Sequence, residues 1–193
     1  MKNSSLSTPK SLKSTPISPR AKLGVCCEYT RDMYSMMTIC TGNICRSPVA
    51  EYLLRAYAEQ EGLEVTVASS GLSNEEEGNP VDPRTDIVLR EHGIDASAHR
   101  AKVFTPEDFE RYDLLLALDV NHFLRLSQMA PTAEHREKIR MLRSFAPNMQ
   151  GKSLDEQGIF DPWYGEMKDF YTTYDLMDAS AKGVIAALKE GKL

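Results

Sequence analysis

Apolar residues follow two alternating patterns from residue 34 onward. Short stretches rich in apolar and β-branched residues predict strands at residues 34–39, 63–69, 112–118 and 138–142, of which 112–118 is expected to be buried. Apolar positions at helical spacing, together with capping residues, predict helices at residues 48–62, 82–93, 119–129 and 167–189, with a shorter helix starting at Thr105. Strands separated by helices predict a single α/β domain, in which a four-stranded, mostly parallel sheet carries helices on both faces.

The first 32 residues lack this patterning. Ser, Thr, Pro and Lys dominate residues 3–22, and such a segment buries too little apolar surface to fold. No apolar stretch follows the lysines, which disfavours a secretory signal. We expect residues 1–32 to be a disordered extension, unless translation begins at Met33 or Met36, and residues 33–193 to form the domain.

Charge is divided unevenly between these two regions. The chain carries a net charge of −5, with +4 in the first 32 residues and −9 in the remaining 161. An acidic domain disfavours nucleic acid as a partner. No run of eighteen apolar residues occurs, so we expect no membrane-spanning helix. The sequence does not indicate the oligomeric state.

All four cysteines lie in the first quarter of the chain, at Cys26, Cys27, Cys40 and Cys45. Cysteines so placed cannot crosslink the whole domain, which favours functional thiols in a reducing compartment. Without a paired Cys-x-x-Cys spacing, we expect no metal site and no cofactor. We therefore expect a cytoplasmic protein, with secretion by a signal-less route left open.

The segment Cys-Thr-Gly-Asn-Ile-Cys-Arg-Ser-Pro at residues 40–48 links the first predicted strand to the first helix. A strand, a tight loop and a helix N-terminus together direct backbone N–H groups at an anion. The positive potential there favours the thiolate of Cys40. The fork of Arg46 can hold two oxygens of an anion above the sulfur. The loop residues expected around that anion are Thr41, Gly42, Asn43, Ile44, Cys45 and Ser47.

Particular loop residues suit this conformation. Gly42 allows a close approach of backbone to ligand, and Asn43 tolerates the left-handed backbone that curls such a loop. Ser47 is expected to donate a hydrogen bond to the thiolate, to cap the following helix, or both. A thiolate beneath a phosphate predicts attack on phosphorus and a phospho-cysteine intermediate.

The leaving oxygen of such a reaction needs a proton. Asp161 precedes Pro162 and is followed by Trp163 and Tyr164, in a stretch predicted to be an extended loop. We expect Asp161 to be the general acid and the two aromatic side chains to line a pocket for a flat ring. An Asp-Pro pair alone is also a common turn signal.

The loop at residues 40–48, with Asp-Pro-Trp-Tyr about 120 residues later, resembles the low-molecular-weight protein tyrosine phosphatases. The resemblance spans nearly all of the chain beyond the extension. It implies hydrolysis of protein phosphotyrosine, with Cys40 as nucleophile, Arg46 as phosphate ligand and Asp161 as acid and then base. It further implies that Asn43, Ser69 and His99 form a hydrogen-bond network supporting the loop.

Two further implications concern regulation and substrate. Cys45 matches a second loop cysteine able to form a reversible disulfide with Cys40. The resemblance places Glu75 in the substrate pocket, where the family usually has Trp or Tyr, which implies an altered peptide preference. The alternative is that Glu75 to Glu77 form only a solvated acidic loop. The expected partner is a phosphotyrosine protein, for example a tyrosine kinase.

Three alternative functions remain. Arsenate reductases share the fold and loop, but the thioredoxin-coupled enzymes need two cysteines downstream, and none follows Cys45. Protein-arginine phosphatases have Thr at the position of Ile44. A non-catalytic phosphate-binding module is the least favoured, because it predicts the loss of Cys40, Arg46 or Asp161.

Overall fold

The computed structural model describes residues 33–193, so the expected extension at residues 1–32 lies outside the described residues. The strands are β1 (Tyr34–Cys40), β2 (Val65–Gly71), β3 (Leu114–Ala117) and β4 (Ile139–Met141). The helices are α1 (Arg46–Gln60), α2 (Pro83–Glu91), α3 (Asp108–Arg111), α4 (Val120–Met129), α5 (Ala133–Glu137) and α6 (Met167–Lys189). Within this part of the chain, no helix is both long and apolar enough to cross a membrane.

The four strands form one sheet in the order β2-β1-β3-β4, and every neighbouring pair is parallel. The predicted α/β class and mostly parallel sheet are confirmed. All four residues of β3 are buried, as expected for a strand with both faces covered.

Helices cover both faces of the sheet, as predicted. Met36 and Leu116 contribute to one apolar cluster, which contains side chains from α1, α2 and α6. Met37 and Leu115, their immediate neighbours in sequence, contribute to a second cluster with side chains from α3 and α4. Alternation along each strand therefore supplies two cores from one continuous apolar run.

Several boundaries differ from the predictions. Helix α1 begins at Arg46 rather than Pro48, because the last residues of the loop already have helical geometry. Helix α3 begins at Asp108 rather than Thr105, since the Thr105 N–H donates to the Asp108 carboxylate across a turn. The stretch predicted as a loop at residues 160–164 contains a 3-10 turn at Pro162–Tyr164. Helix α5 was not predicted.

The strand order places a crevice at the carboxyl ends of the two central strands, β1 and β3. From β1 the chain runs to β2 on one side, and β3 lies on the other side. In open parallel sheets, such a switch point at the carboxyl ends of the strands is where ligands bind. The loop at residues 40–47 follows β1, and Asp119 follows β3, so both reach this crevice.

Candidate active site

The thiol of Cys40 lies at the end of β1, only 3% exposed. The backbone N–H of Asn43 points at its Sγ at 3.3 Å, and the Ser47 hydroxyl lies 3.0 Å from the same atom. Asn43 has a left-handed backbone with φ of 58°, which curls the loop around the sulfur. Both groups are placed to stabilise negative charge on the sulfur by hydrogen bonding.

Asn43 connects the loop to its surroundings through a buried side chain. Its Nδ2 donates to the Ser47 hydroxyl at 2.9 Å and to the Ser69 hydroxyl at 2.8 Å. Its Oδ1 accepts from the Lys102 backbone N–H at 2.8 Å. His99 Nε2 lies 2.8 Å from the Asn43 carbonyl oxygen, which can only accept, so that nitrogen carries a proton. Four separate contacts thus fix one loop residue.

Glu51 extends this network into α1, and the sequence patterns did not single it out. The Ser69 hydroxyl donates to its carboxylate, and Arg55 forms an ion pair with it at 2.6 Å. Burial lowers the pKa of His99, while the Asn43 carbonyl and the charge of Glu51 act in the opposite direction. A charged residue on the inward face of a predicted helix was the available signal for Glu51.

Arg46 is 3% exposed and projects from the first turn of α1. Its Nη1 donates to Asp119 at 2.8 Å and to the Ile159 carbonyl at 3.0 Å. Its Nη2 donates to Asp161 at 2.6 Å. One guanidinium therefore joins the predicted acid to the loop at residues 40–47, called the phosphate loop from here on, and to Asp119 after β3.

A cleft of about 150 Å³ opens above the loop. Cys40 and Arg46 line it, and Asp161 lies at its side. Trp163 and Tyr164 line it too, with exposed fractions of 38% and 92%. The lining also includes three other predicted loop residues and two acidic residues, Thr41, Gly42, Ile44, Glu75 and Glu76. The cleft therefore combines a buried cation, a thiol, a carboxylate and exposed aromatic rings.

The second loop cysteine, Cys45, is a buried free thiol that also borders the cleft. Burial raises its pKa, and the charge of Asp82 adds to that effect. Cys45 is the N-cap residue of α1, and no side chain caps this helix. The prediction that Ser47 caps α1 is therefore wrong, because Ser47 already lies inside the first turn.

No group of three or more His, Cys, Asp or Glu side chains within residues 33–193 is arranged to hold a metal ion. A thiol held by two hydrogen bonds, next to a guanidinium and a carboxylate, can form and release a covalent bond to a tetrahedral anion.

Residues 35–193 match the family model described as low molecular weight phosphotyrosine protein phosphatase. The chain belongs to this family. A low molecular weight protein-tyrosine-phosphatase of Streptomyces coelicolor is 40% identical over 159 residues, covering 81% of this chain and 94% of that protein. Low molecular weight protein-tyrosine phosphatase A of Mycobacterium tuberculosis is 38% identical over 148 residues, covering 76% and 86%.

Solved structures agree with the family. The crystal structure of a protein tyrosine phosphatase from Entamoeba histolytica, with Hepes in the active site, superposes with a TM-score of 0.76 at 26% identity. The match covers 83% of this chain and 99% of that chain. The resemblance found from the sequence motifs is therefore confirmed.

In this low-molecular-weight phosphatase, two residues that were not predicted, Asp119 and His122, contact the groups of the active site. Asp119 accepts from Arg46 and also caps α4 through the His122 N–H. His122 Nε2 lies 3.0 Å from the Thr41 hydroxyl, and the His122 backbone N–H donates to Asp119 Oδ1 at 3.0 Å, whereas the buried Nδ1 makes no hydrogen bond to the described residues. Burial lowers the pKa of His122 to about 4. His122 therefore links Thr41, at the rim of the cleft, to the carboxylate that holds Arg46.

Proposed function

We propose that this phosphatase hydrolyses phosphotyrosine in protein substrates through a phospho-cysteine intermediate. The proposal rests on the convergence of the Cys40 thiol, the Arg46 guanidinium and the Asp161 carboxylate on one cleft. Cys40 is the nucleophile, Arg46 holds the phosphate, and Asp161 is first the general acid and then the general base. The network through Asn43, Ser69 and His99 supports the loop.

In the first step, the Cys40 thiolate attacks phosphorus as the bond to the phenolic oxygen breaks. Protonated Asp161 gives its proton to that oxygen, so tyrosine leaves as a neutral phenol. Arg46 and the backbone N–H groups at the start of α1 hold the remaining phosphate oxygens. The phosphate competes with Asp161 for the guanidinium, so substrate binding releases the acid from its ion pair.

In the second step, water attacks the phospho-cysteine. Asp161, now a carboxylate, accepts a proton from that water as the sulfur–phosphorus bond breaks. The Cys40 thiolate leaves with the electron pair, and the hydrogen bonds from Asn43 N–H and Ser47 stabilise it. Inorganic phosphate is the product, and the side chains return to their starting states without a cofactor.

The cleft favours an aromatic phosphoester. Trp163 and Tyr164 offer exposed rings against which a phosphotyrosine ring can stack. Ile44 gives the loop an apolar side chain rather than the Thr of the arginine phosphatases. A phosphotyrosine protein such as a tyrosine kinase is the proposed partner. Free thiols at Cys40 and Cys45 suit a reducing compartment, and we place the enzyme in the cytoplasm.

Hydrolysis of p-nitrophenyl phosphate in the presence of EDTA tests the mechanism. The wild type is expected to remain active, Cys40→Ser to be inactive, and Asp161→Asn to lose about 10²–10⁴-fold in kcat. Asp155→Asn is a matched control, because Asp155 is exposed and its side chain makes no hydrogen bond to the described residues. Full turnover by Cys40→Ser, or loss of activity with EDTA, contradicts the proposal.

Substrate choice needs a separate comparison. Peptides carrying phosphotyrosine, phosphoserine or phosphoarginine should be hydrolysed side by side, with arsenate reduction measured in parallel. Phosphotyrosine is expected to give the highest kcat/KM. A preference for phosphoarginine, or reduction of arsenate, would replace the proposed substrate while leaving Cys40 as the nucleophile.

A further inference from the structure

Arg84 lies between the two loops that form the cleft, and neither step of the proposed mechanism uses it. It stands in the first turn of α2, whose N-cap is Asp82. The Asp82 N–H donates to the Ile44 carbonyl at 2.8 Å, so the start of α2 is attached to the phosphate loop. Arg84 is thereby held at a fixed distance from that loop.

Asp82 and Arg84 form a two-point ion pair. Nε of Arg84 donates to Oδ1 at 3.0 Å, and Nη2 donates to Oδ2 at 2.9 Å. Burial acts to raise the pKa of Asp82, but the hydrogen bonds and charge of Arg84 hold it below its usual value. Such fork geometry fixes the plane of a guanidinium as well as its position.

The remaining donors of Arg84 reach the loop that contains Asp161. Nη1 donates to the Gly165 carbonyl and Nη2 to the Trp163 carbonyl, both at 3.2 Å. The guanidinium carbon lies 4.3 Å from the centre of the buried Phe170 ring and 5.9 Å from that of Trp163. Both distances lie within the range of cation–π attraction.

Trp163 transmits this position to Asp161. The Trp163 N–H donates to Asp161 Oδ1 at 3.1 Å, and Asp161 is the N-cap of the 3-10 turn at Pro162–Tyr164. The backbone of Trp163 is therefore held by Asp161 at its N–H and by Arg84 at its carbonyl. A displacement of Trp163 moves the carboxylate relative to Cys40.

We propose that Arg84 is a positioning residue that holds the general acid Asp161 in place relative to the phosphate loop. It does so by connecting Asp82, which is bonded to Ile44 of that loop, to the backbone carbonyls of Trp163 and Gly165. This inference rests on the proposed role of Asp161. Arg84 does not touch the reacting atoms, and it acts through the placement of the acid.

A misplaced acid has a kinetic signature that general loss of structure lacks. Phenol is a poor leaving group, and its departure depends strongly on protonation, whereas p-nitrophenolate leaves more easily without a proton. Loss of acid placement therefore lowers kcat/KM more for phenyl phosphate than for p-nitrophenyl phosphate. Misplacement by about 1 Å can reduce a rate by about 10²-fold.

The test compares kcat/KM for these two substrates in the wild type and in Arg84→Gln. In Arg84→Gln, we expect kcat/KM for p-nitrophenyl phosphate divided by kcat/KM for phenyl phosphate to rise by about 10-fold. This is less than the effect of displacing a catalytic group by a full 1 Å, because Asp161 keeps its other contacts. Arg90→Gln is the matched control, because Arg90 lies on the same helix and pairs only with Asp86 among the described residues. Its ratio is expected to equal that of the wild type.

Two further variants complete the test. Arg84→Lys keeps a cation near Phe170 but cannot form the two-point ion pair with Asp82, so a smaller rise in the ratio of the two kcat/KM values is expected. This variant replaces Arg84→Gln in the test if Arg84→Gln does not fold. Arg84→Gln added to Asp161→Asn should raise the ratio no further, because the acid is already absent. An unchanged ratio in the folded Arg84 variants overturns the inference. An unchanged ratio in Asp161→Asn instead overturns the proposed acid, which keeps the two failures distinct.

Discussion

His122 should make the folded state less stable as the pH falls, because its imidazole is buried in neutral form. Burial lowers its pKa from 6.5 to about 4, although the charge of Asp119 acts in the opposite direction. Below pH 6.5 the unfolded chain binds a proton that the folded chain does not. The free energy of unfolding therefore decreases from pH 7 toward pH 4 and becomes independent of this group below that.

The size of the effect follows from the two pKa values of His122. Between pH 7 and pH 5, this one group should lower the free energy of unfolding by about 2 kcal/mol. Replacement by Gln removes the titration while keeping an amide that can meet the Thr41 hydroxyl. The pH dependence of His122→Gln should be shallower than that of the wild type by the same amount. Contributions from groups that do not interact with His122 cancel in the difference.

Urea denaturation at pH 7, 6 and 5, followed by circular dichroism, measures this difference. Thr41→Val is the control, since it removes the hydroxyl that is hydrogen-bonded to His122 Nε2 but leaves the imidazole buried. Its pH dependence should remain close to that of the wild type. A stability difference between wild type and His122→Gln that stays constant across the three pH values would refute the reasoning.

Three shorter predictions concern close packing and the second thiol. Gly71→Ala should destabilise the fold by about 1–3 kcal/mol in urea denaturation, because a Cβ would lie 2.6 Å from the Thr41 carbonyl oxygen. Gly183→Ala should lower the melting temperature, because the new methyl group would overlap the Phe145 carbonyl. Ala is normally more favourable than Gly in a helix by about 1 kcal/mol, so a higher melting temperature would contradict this prediction. Cys45 should resist iodoacetamide at pH 8 until urea unfolds the chain, because burial raises its pKa, and peptide mass spectrometry detects the labelling.

The sequence patterns succeeded where neighbouring residues carry the information. The strands coincide with short stretches rich in apolar and β-branched residues, and the left-handed backbone expected of Asn43 is present in its loop. Asp82 followed by Pro83 predicted the start of α2, and both occupy the expected positions. Asp161 was singled out from its own neighbours, and the structure brings it to Arg46, 115 residues away in the sequence, while its role as the acid stays a prediction.

The contacts of Asp119, His122 and Arg84 could not be predicted in this way. The sequence predicts a helix that begins at Asp119, and Asp119 caps α4, but its other carboxylate oxygen accepts a hydrogen bond from Arg46, which lies 73 residues away in the sequence. The predicted helix places His122 in the first turn of α4 without indicating that it contacts Thr41. These pairings depend on which strands are adjacent and on how each helix packs against them.

The chemistry of the phosphate loop explains why its supports are so widely spread. A loop that offers its backbone N–H groups to a phosphate cannot also use them to hold its own shape. Its rigidity must come from contacts with groups outside it, both side chains and backbone N–H groups, and these belong to different elements. Asn43 is held from β2 and the segment before α3, Thr41 from α4, and Ile44 from the start of α2. A short motif therefore singles out the proposed reacting groups, while the groups that hold the loop in place are distributed along the chain.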